Sequence, residues 1–248
     1  MRASLAIVAL LVVAPHVASA QAKQMKPEDT EVWSPEPKVI IPGKTSADAP
    51  SDAIVLFGGK SLDEWVTSGK TDPAGWTVSK GVMTVNKKSG DIQTKRSFRN
   101  YQLHLEWRIP PDISGSGQAR GNSGVFLALA PDGGYELQIL DSYTNKTYVN
   151  GQAGSIYKQS PPLVNAMRKP GEWQVYDVIW TAPTADAPPK VTAFHNGVLV
   201  QNGFQLKGTT EYIGLPRTLV YDRAPIMLQA HGDPSAPISF RNIWVREL

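Results

Sequence analysis

The chain has 248 residues, 41% of them hydrophobic, and a formal net charge of +3. This length fits one large domain that buries a sufficient core, and with no Lys/Arg run no nucleic-acid partner is expected. The absence of cysteine excludes a disulfide scaffold, a thiol nucleophile and a lipoprotein anchor.

Residues 1–20 have the pattern of a secretory signal peptide. Arg2 supplies the charged start, residues 5–13 the apolar core, and Ala18-Ser19-Ala20 the small-residue cleavage site. The apolar core is too short to span a bilayer. We therefore expect cleavage after Ala20, no membrane span afterwards, and an exported protein in the periplasm or outside the cell.

Residues 21–51 contain five prolines and few consecutive apolar residues, which predicts an extended arm or linker. From residue 52 to residue 248 the chain changes to short β-rich runs separated by turns. The predicted strands cover 53–57, 76–78, 82–85, 91–94, 101–109, 123–130, 135–140, 174–180, 191–195, 197–201, 225–231 and 238–248.

The turn between residues 195 and 198 is the strongest local signal in this series. Asn196-Gly197 lies between two β-rich runs, as in a type I′ hairpin, which needs positive φ at both central positions. No long segment has the 3.6-residue periodicity of a helix. The sequence therefore predicts an all-β domain, and about a dozen short strands favour a sandwich over a small barrel.

Two of the predicted strands alternate between apolar and functional polar residues. In YQLHLEWR (101–108) the polar face carries Gln102, His104, Glu106 and Arg108. In residues 226–231, Gln229 and His231 share one face. A polar strand face is ordinarily just solvated, but these residue types equally suit the lining of a ligand cleft.

The run YELQILDS (135–142) carries three polar residues at spacings of two and three. In a regular strand Glu136 and Gln138 share a face and Asp141 points to the other side. A bulge at Ile139-Leu140 would bring all three onto one face, which is the sharper hypothesis. In an unbroken strand Asp141 is only a turn residue.

Several other residues allow both a structural and a functional interpretation. Arg120 and Asn122 lie in a Gly-rich turn, where Asn122 supplies either a turn conformation or an amide for a sugar hydroxyl. Tyr176 and Trp180 share a parity that predicts core positions, and His195, beside the hairpin turn, is expected at the surface. No metal-site spacing and no G-x-S-x-G elbow is present.

Several blocks occur in an order that resembles the bacterial 3-keto-disaccharide hydrolase domain family. They are SDAIVLFGGKSLDEW, GNSGVFLALA, YELQILDSY, GQAGSIYKQSPPLVNA, KPGEWQVYDVIW and FRNIWVREL, spread over residues 52–248. The resemblance implies a concanavalin-like jelly-roll sandwich of two curved antiparallel sheets. It also implies cleavage of glycosides whose sugar carries a ketone at carbon 3.

This chain departs from the family pattern at two places. Members usually read LQDHG where this chain has LQAHG, so an acidic residue is replaced by Ala230. The FGGK turn at 57–60 has Gly where Asp or Asn is common. We expect the first change to affect carbohydrate or metal contacts and the second to affect only a turn.

A ketone at carbon 3 acidifies the proton at carbon 2, so cleavage can proceed by elimination followed by addition of water. Such a site needs a base, an acid and a group that stabilises the enolate. We expect Glu136 to be the base, with Glu106 or Asp141 as acid or pKa modulator, and His231 and Arg241 on the enolate. The expected substrate-binding residues are Asn122, Gln138, Tyr157, Gln229, His104, Arg108 and Arg241.

Two other functions and one cofactor question stay open from the sequence. Jelly-roll glucanases carry E-x-D-x-x-E, and residues 136–141 have the same spacing with Gln138 and a shorter Asp141. That likeness suggests an ordinary glycosidase, although retaining hydrolysis needs carboxyl groups about 5–5.5 Å apart. A non-catalytic carbohydrate-binding module is the second alternative. A divalent cation is a possible but uncertain cofactor.

Overall fold

The computed structural model describes residues 25–248, which form thirteen β-strands and four short 3₁₀ helices and contain no α-helix. The predicted signal segment lies outside these residues. The strands are β1 (Ile54–Phe57), β2 (Trp65–Thr67), β3 (Thr77–Ser79), β4 (Val82–Thr84), β5 (Ile92–Thr94), β6 (Tyr101–Arg108), β7 (Ser123–Ala130), β8 (Gly133–Ile139), β9 (Trp173–Thr181), β10 (Lys190–His195), β11 (Val198–Gln205), β12 (Met227–Leu228) and β13 (Ser239–Glu247). The 3₁₀ helices are Pro27–Thr30, Lys87–Ser89, Gly117–Ala119 and Val149–Gly151. In residues 25–248 we find no helix with the length and hydrophobicity of a membrane span.

The strands form two antiparallel sheets packed face to face. The larger sheet has the order β11-β10-β9-β6-β13-β4-β3, with β1 also paired to β13, and the smaller one the order β2-β5-β12-β7-β8. Strands distant in sequence lie side by side, such as β6 between β9 and β13, as expected for jelly-roll connections. The predicted all-β jelly-roll sandwich is confirmed.

Alternation along the strands explains which side chains fill the space between the sheets. Tyr101, Leu103 and Leu105 of β6 are buried to 1% exposure or less, and so are Tyr176 and Trp180 of β9, as their shared parity predicted. Aromatic side chains bury large areas each, so these strands supply much of the driving force for packing the sheets together.

Two buried tyrosines of the larger sheet also tie it to the smaller sheet by hydrogen bonds. The hydroxyl of Tyr176 donates to the backbone carbonyl of Gln138 at 2.7 Å, and the hydroxyl of Tyr101 donates to the carbonyl of Leu127. Unpaired carbonyls in this interior would be costly. The contacts therefore help to fix where β8, which carries Glu136 and Gln138, lies over the larger sheet.

The predicted hairpin is confirmed, and its first strand corrects one surface prediction. Asn196 and Gly197 have φ values of 53° and 79°, as a type I′ turn requires. His195, expected at the surface, is fully buried, with its ring 5.6 Å from that of Trp107 and 4.9 Å from that of Tyr176. It has the same parity as the buried residues of β10, so it points into the sandwich despite the adjacent turn.

The compact unit that contains the sheets spans residues 40–248. The carbonyl of Ala47 accepts hydrogen bonds from the Trp244 indole at 3.0 Å and from the Asn242 amide at 2.9 Å. The Ile41 backbone N–H is bonded to the Ser51 hydroxyl at 2.9 Å. The end of the predicted arm, residues 40–51, thus packs with the domain.

We expect His195 to make the protein less stable in acid. Burial, helped by the charge of Arg168, lowers the pKa of His195 from 6.5 to about 3. Between these two pH values His195 is protonated in the unfolded chain and neutral in the folded chain. The free energy of unfolding therefore decreases as pH falls from about 6.5 towards 3. From pH 7 to pH 4 this residue alone removes about 3 kcal/mol of unfolding free energy.

Urea unfolding of the wild type and of His195→Phe between pH 4 and pH 7 measures this effect. The variant keeps an aromatic ring beside Trp107 but has no group to titrate, so its stability falls less steeply. Equal slopes in both proteins would contradict the assignment.

Candidate active site on the outer face of the five-stranded sheet

Two adjoining cavities open on the outer face of the smaller sheet and share four lining residues, so we treat them as one groove. The first compartment, about 280 Å³, is lined by Asn122, Phe126, Glu136, Gln138, Tyr157, Thr210, Tyr212, Gln229 and His231. The second, about 480 Å³, is lined by Gln118, Ala119, Asn122, Tyr148, Tyr157, Lys158, Tyr212, His231, Gly232, Asp233 and Pro234. Grooves of this size with a few convergent polar groups are typical ligand sites.

Glu136 of β8 is the central ionisable residue of the first compartment. Its neighbours Tyr135 and Leu137 point into the core, so its carboxyl group points to the outer face. The residue is only 5% exposed, and no group among residues 25–248 donates a hydrogen bond to its carboxyl oxygens. Burial, together with the negative charge of Asp91, raises the pKa of Glu136 from 4.5 to about 8.

A glycine and a threonine hold Glu136 in this position. Gly124 of β7 faces the carboxyl group so closely that a Cβ atom there would lie 2.4 Å from Oε1 of Glu136. The glycine is thus required by the close approach of this side chain. On the other side, the backbone N–H of Glu136 donates to the Thr210 hydroxyl at 2.9 Å.

His231 lies in the same compartment and is oriented by Asp233. Its Nδ1 is 3.2 Å from the backbone nitrogen of Asp233 and 3.0 Å from the carboxylate oxygen Oδ2. A ring whose Nδ1–H donates to the carboxylate carries a second proton, on Nε2, only as the imidazolium. In that protonated form Nε2 is a hydrogen-bond donor available to the groove.

The carboxylate of Asp233 is itself firmly held. Burial alone would raise the pKa of Asp233, but hydrogen bonds from Ser235, His231 and Lys87 lower it overall. The Lys87 ammonium lies 3.2 Å from Oδ2, and the Ser235 backbone N–H donates to Oδ1 at 2.9 Å. Asp233 therefore stays ionised and acts on the groove through His231.

Two buried amide oxygens in the first compartment have no partner among the described residues. They are Oε1 of Gln138 and Oε1 of Gln229. The orientation of Gln138 is fixed, because its Nε2 donates to Oε1 of Gln118 at 3.0 Å. Buried acceptors of this kind are costly unless a donor reaches them. The hydroxyl groups of a carbohydrate are such donors.

An aromatic wall dominates the second compartment. The hydroxyl groups of Tyr148 and Tyr157 are 2.6 Å apart. The ammonium group of Lys158 lies 4.4 Å from the ring centre of Tyr212, 5.7 Å from that of Tyr157 and 6.0 Å from that of Tyr148. Burial, with its bond to Tyr148, raises the pKa of Tyr157, so its hydroxyl keeps its proton.

Asp141 does not belong to the groove. Residues 136–139 of β8 pair with 123–126 of β7 in continuous register, and the irregularity lies instead between Phe126 and Leu129. The bulge hypothesis at Ile139-Leu140 is therefore wrong. Asp141 follows the end of the strand, where its carboxylate is 2.6 Å from Nε of Arg120 and accepts the Tyr143 backbone N–H at 3.2 Å.

Four other predicted site residues lie on the opposite outer face of the sandwich: His104, Glu106, Arg108 and Arg241. They alternate with core residues in the larger sheet, so they point away from Glu136, and the two sheets are about 10 Å apart. Glu106 pairs with Arg241 at 2.6 Å, and His104 with Asp177 at 2.7 Å. The expectation that these four converge with Glu136 in one site is corrected accordingly.

The structure thus brings together Asn122, Glu136, Gln138, Tyr157, Gln229 and His231 of the predicted set. The sequence analysis missed Gly124, Tyr148, Lys158, Thr210, Tyr212 and Asp233. Only Asp233 had a visible signal, its spacing of two from His231. Tyr148, Lys158, Thr210 and Tyr212 are in loops, and Gly124 acts through the absence of a side chain. A periodic pattern in the sequence reports neither feature.

Among residues 25–248 no group of three or more His, Asp or Glu side chains is arranged to hold a metal ion. The groove offers two amide oxygens and one carboxyl group in the first compartment, and the Asp233 carboxylate is occupied by Lys87, Ser235 and His231.

Comparison with known proteins identifies the family of this chain. A candidate glycosyl hydrolase of Parabacteroides distasonis ATCC 8503 is 54% identical with a TM-score of 0.83, over 90% of this chain and 97% of that one. A second from the same organism, at 22% identity and TM-score 0.61 over 79% and 94%, shares the fold. No curated protein matches. Residues 52–246 match the model of the 3-keto-alpha-glucoside-1,2-lyase-like domain, and the protein belongs to that family.

Proposed function

We propose that this protein cleaves glycosides whose sugar carries a ketone at carbon 3, by elimination across carbons 1 and 2 followed by addition of water. Family membership and the 54% identical relative make it a carbohydrate-acting protein. The observation that carries the finer proposal is the buried carboxyl group of Glu136. It lies in one compartment with His231 and two unpaired amide oxygens.

Glu136 is the base in this mechanism. A carboxylate that lacks hydrogen-bond donors is a much stronger base than one in water, and its pKa of about 8 suits removal of the weakly acidic proton at carbon 2. The electron pair of that C–H bond moves into the ring to form an enolate. The enolate then expels the glycosidic oxygen from carbon 1, which leaves a double bond between carbons 1 and 2 that is conjugated with the ketone.

His231 is the acid that protonates the departing oxygen. The acid is the imidazolium form, in which Nδ1 faces the Asp233 carboxylate at 3.0 Å and Nε2 carries the proton that is transferred. Water then adds to carbon 1 and gives a proton to His231, while Glu136 returns its proton to carbon 2, so both residues are restored and the net reaction is hydrolysis. Oε1 of Gln138 and of Gln229 accept sugar hydroxyls, and the amide of Gln229 and the hydroxyl of Tyr157 are donors for the enolate oxygen.

The ordinary glycosidase mechanism fits the groove less well. It needs two carboxyl groups flanking the scissile bond, whereas Glu136 is the only acidic residue lining the first compartment in the described part of the chain. Asp141, the second acid expected from the spacing, is bound to Arg120 outside the groove. One base and one imidazole acid match elimination beside a ketone better.

Replacing Glu136 by Gln keeps the shape of the side chain and removes the base. We expect kcat on 3-keto-trehalose, 3-keto-sucrose or a 3-keto-α-glucoside to fall about 10²–10⁴-fold. Release of the free sugar measures the rate. Glu172→Gln, an exposed glutamate paired with Lys169, is the matched control and keeps wild-type activity. Equal rates for Glu136→Gln and wild type would contradict the role of Glu136 as the base. Binding of glycan without any turnover would favour a binding module.

The pH dependence of kcat/KM reports the ionisation of Glu136 in the free enzyme. With a pKa of about 8, only about a tenth of the molecules carry the carboxylate at pH 7. The limb of the pH profile that belongs to Glu136 should therefore lie near pH 8. Because Asp91 contributes to the raised pKa, Asp91→Asn should move this limb to lower pH. A profile without a limb near pH 8, or a limb that Asp91→Asn leaves in place, would contradict the assignment.

Gly124→Ala tests the positioning of Glu136 without touching a polar group. The new methyl group would need the space 2.4 Å from Oε1, so the carboxyl group must move. Because alanine is favoured over glycine within a strand by about 0.5–1 kcal/mol, the fold should survive. We expect kcat to drop about 10²-fold, with unfolding free energy changed by less than about 1 kcal/mol. A wild-type kcat in Gly124→Ala would show that Gly124 does not set the position of the Glu136 carboxyl group.

A further inference from the structure

The two compartments of the groove differ in their unmet hydrogen bonds. In the first, Oε1 of Gln138 and Oε1 of Gln229 are buried without a partner in the described chain. In the second, the side-chain amides are already in use. Gln118 donates to Thr147 and to the Gly151 carbonyl, both at 2.9 Å, and accepts from Gln138 at 3.0 Å.

Two further polar groups of the second compartment are occupied as well, whereas Nε2 of His231 faces the groove and the Lys158 ammonium lies over the tyrosine rings. The amide of Asn122 donates to the Gln118 carbonyl at 2.8 Å. The carboxylate of Asp233 is bonded to Lys87, Ser235 and His231. None of the described polar atoms lining this compartment is a buried acceptor without a partner, so it lacks the feature that favours a hydroxyl-rich ring in the first compartment.

The apolar surface of this compartment comes from the rings of Tyr148, Tyr157 and Tyr212, with the Lys158 ammonium over them. Tyr212 lies in a loop of residues 209–217, which we call the tyrosine loop. The loop is closed at its base, where the Thr209 N–H donates to the Arg217 carbonyl at 2.9 Å and Arg217 pairs with Glu211 at 3.0 Å. Its tip exposes Tyr212, Ile213 and Leu215 by 72%, 83% and 85%.

The tyrosine loop is also anchored beside the proposed base. The N–H of Thr210 donates to the Gly134 carbonyl at 2.7 Å, and its hydroxyl accepts the N–H of Glu136. Tyr212, two residues later, lines both compartments. The compartments adjoin, so the aromatic compartment is within reach of a group on carbon 1 of a sugar held over Glu136 and His231.

We propose that the second compartment binds an aromatic group on the leaving alcohol, so that 3-keto-glycosides of aromatic alcohols are the preferred substrates. This inference rests on the proposed function. Three tyrosine faces, an exposed apolar loop tip and the lack of free buried acceptors together fit an aromatic ring better than a second sugar.

The test compares 2-phenylethyl 3-keto-α-glucoside with ethyl 3-keto-α-glucoside. Both release a primary alcohol, so the chemical ease of departure is matched and kcat/KM reports the ring. We expect about tenfold preference for the phenylethyl substrate. Tyr212→Ala should abolish the preference and Tyr212→Phe should retain it. Tyr143→Ala, an exposed tyrosine that lines neither compartment, should also retain it.

Equal kcat/KM for the two substrates, or a preference that survives Tyr212→Ala, overturns the inference. A stronger preference for 3-keto-trehalose that Tyr212→Ala removes would assign the compartment to a second sugar and overturn it too. If neither 3-keto-glucoside is cleaved, the proposed function fails separately. Calorimetric binding of the unoxidised phenylethyl and ethyl α-glucosides then tests the aromatic compartment by itself. Tighter binding of the phenylethyl glucoside that is lost in Tyr212→Ala supports the inference, and equal binding of the two glucosides overturns it.

Discussion

The proximity of the Glu136 carboxyl group to Gly124 is the constraint on which the rest of the groove depends. Without a side chain at Gly124, the carboxyl group can lie close to the sheet, where the residue is only 5% exposed and no described group donates to it. Burial there makes ionisation unfavourable, so the carboxylate, once formed, is a strong base. A base of this kind needs a sheet with tight neighbours around it, which a loop would not provide.

The sandwich supplies this rigidity from its other side. The hydroxyl of Tyr176 in the larger sheet holds the carbonyl of Gln138, two residues from Glu136, through the core. The side chains on the larger sheet's own outer face form a different kind of cluster. His104 is nearly fully buried between Asp177, Glu106 and the ring of Trp244, and Asn242 links this cluster to Ala47. We interpret this cluster as structural, because its charges are paired with one another.

Alternation in the sequence predicted the faces of β6 and β9 correctly but could not tell which sheet a strand joins. For this reason β6 and the Asn196-Gly197 hairpin were predicted well, while Glu106 was assigned to the wrong side of the molecule. Glu136 and Gln138 were found because they lie in β8. Gln229 and His231 were found through the predicted strand 225–231, of which only Met227–Leu228 forms a strand. His195 was misplaced because proximity to a turn says less about burial than strand parity does.

The remaining half of the groove depends on contacts between segments far apart in the chain, which local patterns do not encode. Lys158 adopts a left-handed φ of 58° and donates to the carbonyl of Tyr212, more than fifty residues away. Together with Thr210 beside Glu136, this contact joins the aromatic compartment to the base. The polar end of the groove therefore suits proton transfer, and the aromatic end suits recognition of the group that leaves. Because the base and the tyrosine loop share the anchor at Thr210, a change in the loop that shifts Thr210 would disturb the base as well.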